Sequence, residues 1–222
     1  MTRAMDLLIF DCDGVLIDSE PIAIRADVAC FAEHGFAVSA AQIRERYVGT
    51  SVTSMLADVE ARHGRRLPDD FAETLRRRIA ATFETELEAM PGIVDLLDAL
   101  QPRSCVASSS APERLRHALA LVGLLARFDP HVFSATQVAR GKPAPDLFLF
   151  AARQMDVAPH RCVVIEDSLA GVAAAKAAGM VAIGFCGGGH CGSGHAASLS
   201  AAGADITFDH MDDLAKFLTQ SM

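Results

Sequence analysis

The sequence has no tryptophan and a single tyrosine, Tyr47. Stacking on nucleic-acid bases is therefore not expected to be its main business. Positive charge is also scarce: 20 Lys and Arg stand against 28 Asp and Glu, a formal net charge of −8. That balance argues against work at nucleic-acid or anionic-membrane surfaces. No apolar stretch reaches the ~18 residues of a membrane-spanning helix. The first apolar run, Leu7 to Phe10, stops at Asp11, so no secretory signal is expected. Cys12, Cys30, Cys105, Cys162, Cys186 and Cys191 are scattered and form no compact disulfide framework. They fit reduced thiols and a cytoplasmic location.

What is present reads as a globular chain. At 222 residues and 51% hydrophobic content, it can bury a core without staples. Short apolar runs recur at Leu7 to Phe10, Cys105 to Ala107, Cys162 to Ile165, Val181 to Phe185 and Ile206 to Phe208. Each has strand length. Helical periodicity lies between most of them, over Pro112 to Val122, Asp146 to Met155 and Leu169 to Ala178. Alternation of this kind predicts an α/β fold, a Rossmann-like parallel sheet with helices on both faces. Residues 18–88 break the rhythm and read as successive helices: Pro21 to Glu33, Ala40 to Tyr47, Thr53 to His63 and Asp69 to Glu88. Pro91-Gly92 punctuates the return. The expected organisation is a core of residues 1–17 and 89–222, with a helical cap of residues 18–88 inserted after the first strand.

Open parallel sheets bind ligands at the carboxyl ends of their strands. Asp11, Asp13 and Gly14 follow the first run, and Ser108-Ser109-Ser110 the second. Glu166 and Asp167 follow Cys162 to Ile165, and Gly141-Lys142-Pro143 lies between. Asp11 and Asp167 are hard oxygen ligands suited to Mg²⁺, which would also let the carboxylates gather. A carboxylate can attack phosphorus. The transferring phosphoryl group then needs counter-charge and hydrogen-bond donors, which Mg²⁺, Lys142 and Ser108 would provide. A second carboxyl two residues on, Asp13, has the spacing to protonate the leaving oxygen and later activate water. Each piece alone also suits a structural role. The serines and Glu166-Asp167-Ser168 can cap the helices that follow them, and Lys142 can be a loop lysine. Convergence at one edge favours a site, and two acids around Cys12 after a buried strand are costly without a partner ion.

Read together, Phe10-Asp11-Cys12-Asp13-Gly14-Val15-Leu16-Ile17-Asp18-Ser19-Glu20, the Ser108 hydroxyl, Gly141-Lys142-Pro143 and Ile165-Glu166-Asp167-Ser168 resemble the haloacid dehalogenase superfamily of phosphotransferases. Within it the chain is similar to the β-phosphoglucomutase and phosphoglycolate phosphatase-like branch. Glu86-Leu87-Glu88-Ala89 and Phe185-Cys186 add a likeness to bacterial sugar-phosphate and nucleotide phosphatases of the 6-phosphogluconate phosphatase type. The resemblance implies Asp11 as nucleophile and Asp13 as general acid/base and, through its main-chain carbonyl, a metal ligand. It implies Ser108 and Lys142 as phosphoryl-binding groups, with Ser109 beside them. Asp167 is implied as a Mg²⁺ ligand with Glu166 in its immediate shell. True dehalogenases lack the acid at position 13. The mutases carry a cap His and a cap Arg where spacing puts Ala23 and Val52, so hydrolysis is favoured over a mutase. The phosphonatase branch needs a cap Lys, and residues 18–88 contain none.

The expected function is Mg²⁺-dependent hydrolysis of small phosphorylated metabolites by a monomer, with a mutase and a non-catalytic sensor as the alternatives. Specificity is expected from cap residues, among them Glu20, Arg25, Arg46 and Gly49-Thr50-Ser51; Glu20 equally suits the start of a helix. Cys186, His190, Cys191 and His195 lie in a Gly-rich run. Cys and His at short spacing can bind Zn²⁺. These spacings match no familiar zinc pattern, and the glycines favour a flexible loop.

Overall fold

The computed structural model describes residues 5–48, 50–100 and 103–220. It divides into two compact units, Met1–Asp18 with Glu88–Met222, and Ser19–Leu87.

The first unit is a parallel sheet of β1 (Leu7–Phe10), β2 (Arg103–Ser108), β3 (Val132–Ser134), β4 (Cys162–Glu166), β5 (Val181–Phe185) and β6 (Ile206–Phe208). The strand order is β3-β2-β1-β4-β5-β6. All four residues of β1 are buried, as a central strand covered on both faces requires. Leu7 and Ile9 join a core with Cys105, Ala107, Val164, Leu147 and Val172. Phe10 points to the opposite face, where its ring meets Phe128 edge-on at 6.0 Å. The strand alternation thus feeds two cores from one strand. Helices α5 (Ile93–Ala99), α6 (Pro112–Leu121), α7 (Leu125–Phe128), α8 (Asp146–Gln154), α9 (Leu169–Ala177), α10 (His195–Ala201) and α11 (Met211–Gln220) complete the unit. Strand order reverses at β1, whose neighbours are β2 and β4. The crevice beyond β1 and β4 is where such sheets take ligands.

Strand β3 is not foreseen by the sequence reading. It has three residues, follows Pro130 and pairs only with β2 at the sheet edge. A run that short carries no alternation to read.

The second unit contains α1 (Glu20–Glu33), α2 (Ala40–Arg46), α3 (Val52–His63) and α4 (Phe71–Glu86). Ser39 and Gln42 form a reciprocal capping box at α2, and Gly64 ends α3 in the left-handed conformation. Its core gathers Phe31, Phe36, Phe71 and Leu75, with Phe31 and Phe71 stacked at 5.0 Å. Helix α4 stops two residues short of the expected Glu88, because Leu87 turns extended.

Asp27 of α1 is 7% exposed, and burial pushes its carboxyl up to about 7. The unfolded chain, with an ordinary carboxyl near 4, binds fewer protons than the native chain between those values. Stability therefore falls as pH rises from about 4 to about 7 and is level above. Asp27→Asn should stabilise the protein at pH 8 by about 1 kcal/mol or more and leave it unchanged near pH 4. Urea denaturation at the two pH values reads the difference.

Among the described residues, no helix is long and apolar enough to cross a membrane.

Candidate active site

Asp11 extends β1 by one step, its N–H donating to Ile165 O at 2.9 Å. The chain then turns sharply: Gly14 N–H donates to Ile17 O at 2.8 Å, and Leu16 N–H to Cys12 O at 2.9 Å. Gly14 sits at φ +79, and a Cβ there would lie 2.0 Å from Asp167 Oδ2. Only glycine allows both that backbone and the approach of Asp167.

Lys142 brings the carboxylates together. Its side chain is 5% exposed, and its ammonium donates to Asp11 Oδ1 at 2.6 Å and to Glu166 Oε1 at 2.5 Å. The same ammonium lies 5.0 Å from the centre of the Phe148 ring. Burial works to deprotonate Lys142, but Asp11 and Glu166 outweigh it and hold the ammonium above its ordinary range. The other Glu166 oxygen accepts from Ser168 N and Oγ, both at 2.8 Å. Ser168 Oγ in turn caps α9 by accepting from Gly171 N at 3.0 Å. Glu166 is thereby fixed between a helix start and the lysine.

Gly171 makes room for it. A Cβ there would fall 1.8 Å from Glu166 Oε1. A glycine-to-alanine change inside a helix ordinarily stabilises by about 0.5–1 kcal/mol. Here Gly171→Ala should instead destabilise by about 2 kcal/mol or more, because the fully buried Glu166 carboxylate has nowhere to go. A thermal melt reads the sign.

Asp11, Glu166 and Asp167 are all buried, with ligand oxygens within 4.8 Å of one another. Burial raises the Asp11 carboxyl well above its ordinary value; Lys142 opposes this, while Glu166 and Asp167 add to it. Asp167 is raised in the same sense by burial and then by Glu166. Ionised together, three carboxylates against one ammonium would leave two negative charges in a buried space. A hard divalent cation matches that charge and that donor set, so the residues fit Mg²⁺.

Asp13 stands two residues on and is held by other partners. Its Oδ2 accepts from Ser110 Oγ at 2.8 Å and from Arg114 Nη1 at 3.1 Å, and its Oδ1 from Arg114 Nη2 at 3.0 Å. Arg114 also donates to Ser110 Oγ. Ser108, buried at the end of β2, accepts from Ser110 N at 3.1 Å, while Ser134 Oγ donates to Ser110 O at 2.7 Å. Ser109 is exposed beside them.

The structure therefore brings Asp11, Lys142, Glu166 and Asp167 into one cluster and sets Asp13 against the serine turn. Glu20 opens α1 in the helical unit, and Thr50 Oγ1 donates to Tyr47 O at 2.7 Å in that same unit. Gly49, named with Thr50 in the sequence reading, lies outside the described residues.

The sequence reading missed Arg114. It lies in the first turn of α6, four residues after Ser110, but 101 positions separate it from Asp13. It also missed what holds Asp167. His190 Nε2 is 3.0 Å from Asp167 Oδ2, and His195 Nε2–H donates to Asp167 O at 2.6 Å.

Comparison with known proteins follows the same lines. The family model for haloacid dehalogenase-like hydrolases matches residues 5–179. The 6-phosphogluconate phosphatase of Escherichia coli is 34% identical over 177 residues, 79% of this chain and 80% of that protein. Hexitol phosphatase A of Escherichia coli is 39% identical over 180 residues, covering 77% and 78%. A solved structure of a HAD family hydrolase from Deinococcus radiodurans, described with bound phosphate and sodium, superposes with a TM-score of 0.85. It is 34% identical and covers 99% of this chain and 97% of its own.

Proposed function

The chain belongs to the haloacid dehalogenase-like hydrolases and is a phosphoric monoester hydrolase; from that premise we propose that it hydrolyses small sugar phosphates or nucleotides with Mg²⁺, through a phosphoryl group carried on Asp11. The observation that supports this most is the buried ammonium of Lys142 between Asp11 and Glu166, with Asp167 completing the carboxylate group. The relatives named as phosphatases, and the structural neighbour described with bound phosphate, point to the same substrate class.

Each residue has a proposed task. Asp11 attacks phosphorus, and the bond to the ester oxygen breaks. Asp13 takes up a proton as the substrate phosphate binds, gives it to that oxygen, and then takes one from the water that hydrolyses the acyl phosphate. Ser110 and Arg114 hold the Asp13 carboxylate until a substrate arrives. Lys142 and Ser108 bind the phosphoryl oxygens, with Ser109 at their edge. Mg²⁺, held by Asp11, Asp167 and the Asp13 carbonyl with Glu166 behind them, would neutralise the phosphoryl charge. In the helical unit, Glu20 and Thr50 are proposed to read the rest of the substrate. A monomer in the cytoplasm completes the proposal.

Phosphate release from a panel of sugar phosphates, 6-phosphogluconate, phosphoglycolate and nucleoside monophosphates tests it. The expected result is release with Mg²⁺ that falls at least about 100-fold when a chelator removes the ion. Release indifferent to chelator overturns the metal dependence. A phosphate moved within the substrate, with none released, gives the mutase instead.

A further inference from the structure

We propose that His190, Cys191 and His195 form a second cation site, for a borderline-soft divalent ion of which Zn²⁺ is the type, beside the carboxylate cluster. This inference does not depend on the phosphatase reading.

One ligand atom from each of the three side chains lies within 4.8 Å of the other two. His190 Nε2 is 3.4 Å from Cys191 Sγ. Tetrahedral zinc, with bonds of about 2.0–2.1 Å to nitrogen and about 2.3 Å to sulfur, spaces those atoms about 3.5 Å apart. The donor set is also the one that selects such an ion. Imidazole and thiolate favour zinc over magnesium, whereas the oxygens of Asp11, Glu166 and Asp167 favour the reverse.

The surroundings are built for ligation. His195 donates Nε2–H to Asp167 O at 2.6 Å, which leaves its lone pair on Nδ1. A second ring nitrogen held by a carbonyl is the usual support for a metal-bound histidine. Asp167 Oδ2 lies 3.0 Å from His190 Nε2, and the fourth position on the ion falls to water. The loop itself is anchored: Gly189 N–H donates to Asp18 Oδ1 at 3.0 Å, and Cys191 N–H to Gly188 O at 2.9 Å. Gly14 and Gly188 are the walls, since a Cβ on either would come within 3.0 Å of the His190 ring.

Burial pushes the Cys191 thiol up to about 12, with Asp167 adding to it. A thiolate nucleophile is therefore not on offer, and the ion must displace the proton. On binding, the thiol proton leaves to solvent and His190 carries its ring hydrogen on Nδ1. Cys186 lies in the same run but contributes no atom to the group.

Co²⁺ is the probe. Chelator-treated protein in excess Mg²⁺, which occupies the oxygen ligands, should bind one equivalent of Co²⁺ and show a thiolate-to-cobalt charge-transfer band. Cys191→Ser should lose the band and Cys186→Ser should keep it. His195→Gln, which can still donate to Asp167 O, should weaken Co²⁺ binding at least about tenfold. It decides the matter should Cys191→Ser fail to fold. Absence of the band in the parent protein, or its persistence in Cys191→Ser, overturns the site. Phosphate release with Mg²⁺ alone is measured separately, so either proposal can fail without the other.

Discussion

Asp11→Asn is expected to lower turnover by at least about 10³-fold while the protein stays folded. The substitution keeps the shape of the side chain and leaves Oδ1 able to accept from Lys142 at its 2.6 Å position. It removes the charge proposed to attack phosphorus. It also removes a buried carboxyl that burial, Glu166 and Asp167 together push toward its neutral form. Melting temperature should accordingly hold or rise as activity disappears. Steady-state kinetics together with a thermal melt separate this from unfolding. A folded Asp11→Asn protein with near-parental turnover removes Asp11 from the nucleophile role.

Lys142→Met should cost both stability and activity. The ammonium is almost fully enclosed and is bonded to two buried carboxylates. Removing one member of such a set strands the others, at about 3–5 kcal/mol. Methionine fills the volume, so the loss reports charge and not a cavity. The sign of the pH dependence is fixed. Without the ammonium, nothing opposes the burial that drives the folded-state Asp11 carboxyl upward, and the unfolded chain ionises that carboxyl at its ordinary value. The destabilisation therefore grows as pH rises above about 4. Mg²⁺ should restore part of the stability, because it supplies the missing positive charge. Turnover should fall about 10²–10³-fold through loss of the proposed phosphoryl-binding cation. Denaturant titrations with and without Mg²⁺ at two pH values test the stability claim. A variant as stable as the parent at pH 8 contradicts the view of Lys142 as the keystone of the cluster.

Much of the fold was legible because strands buried on both faces write themselves as short unbroken apolar runs. Leu7–Phe10 and Val181–Phe185 are strands with the bounds read from the sequence. The helices α6, α8 and α9 begin at Pro112, Asp146 and Leu169, where the sequence places them. Strand β3 was not legible, since three residues at an edge after Pro130 hold too little pattern. Within the site, Asp11, Lys142, Glu166 and Asp167 could be named because each follows a strand or sits in a marked loop. Their supports could not. Arg114 reads as one more helix-surface arginine until it is seen on Asp13. His190 and His195 read as members of a glycine-rich loop until they are seen on Asp167, 23 and 28 positions away. Such pairings follow from how the β5–α10 loop folds back onto the β1 turn, which no local pattern encodes.

The central claim is that the phosphoryl group passes through Asp11. Acid quenching of the enzyme during turnover of a phosphate-labelled substrate tests it most directly. A hydroxylamine-labile label is expected on the peptide that contains Asp11, present in the parent and absent in Asp11→Asn. Rapid turnover with no label on the protein, or a label on any other residue, would contradict it.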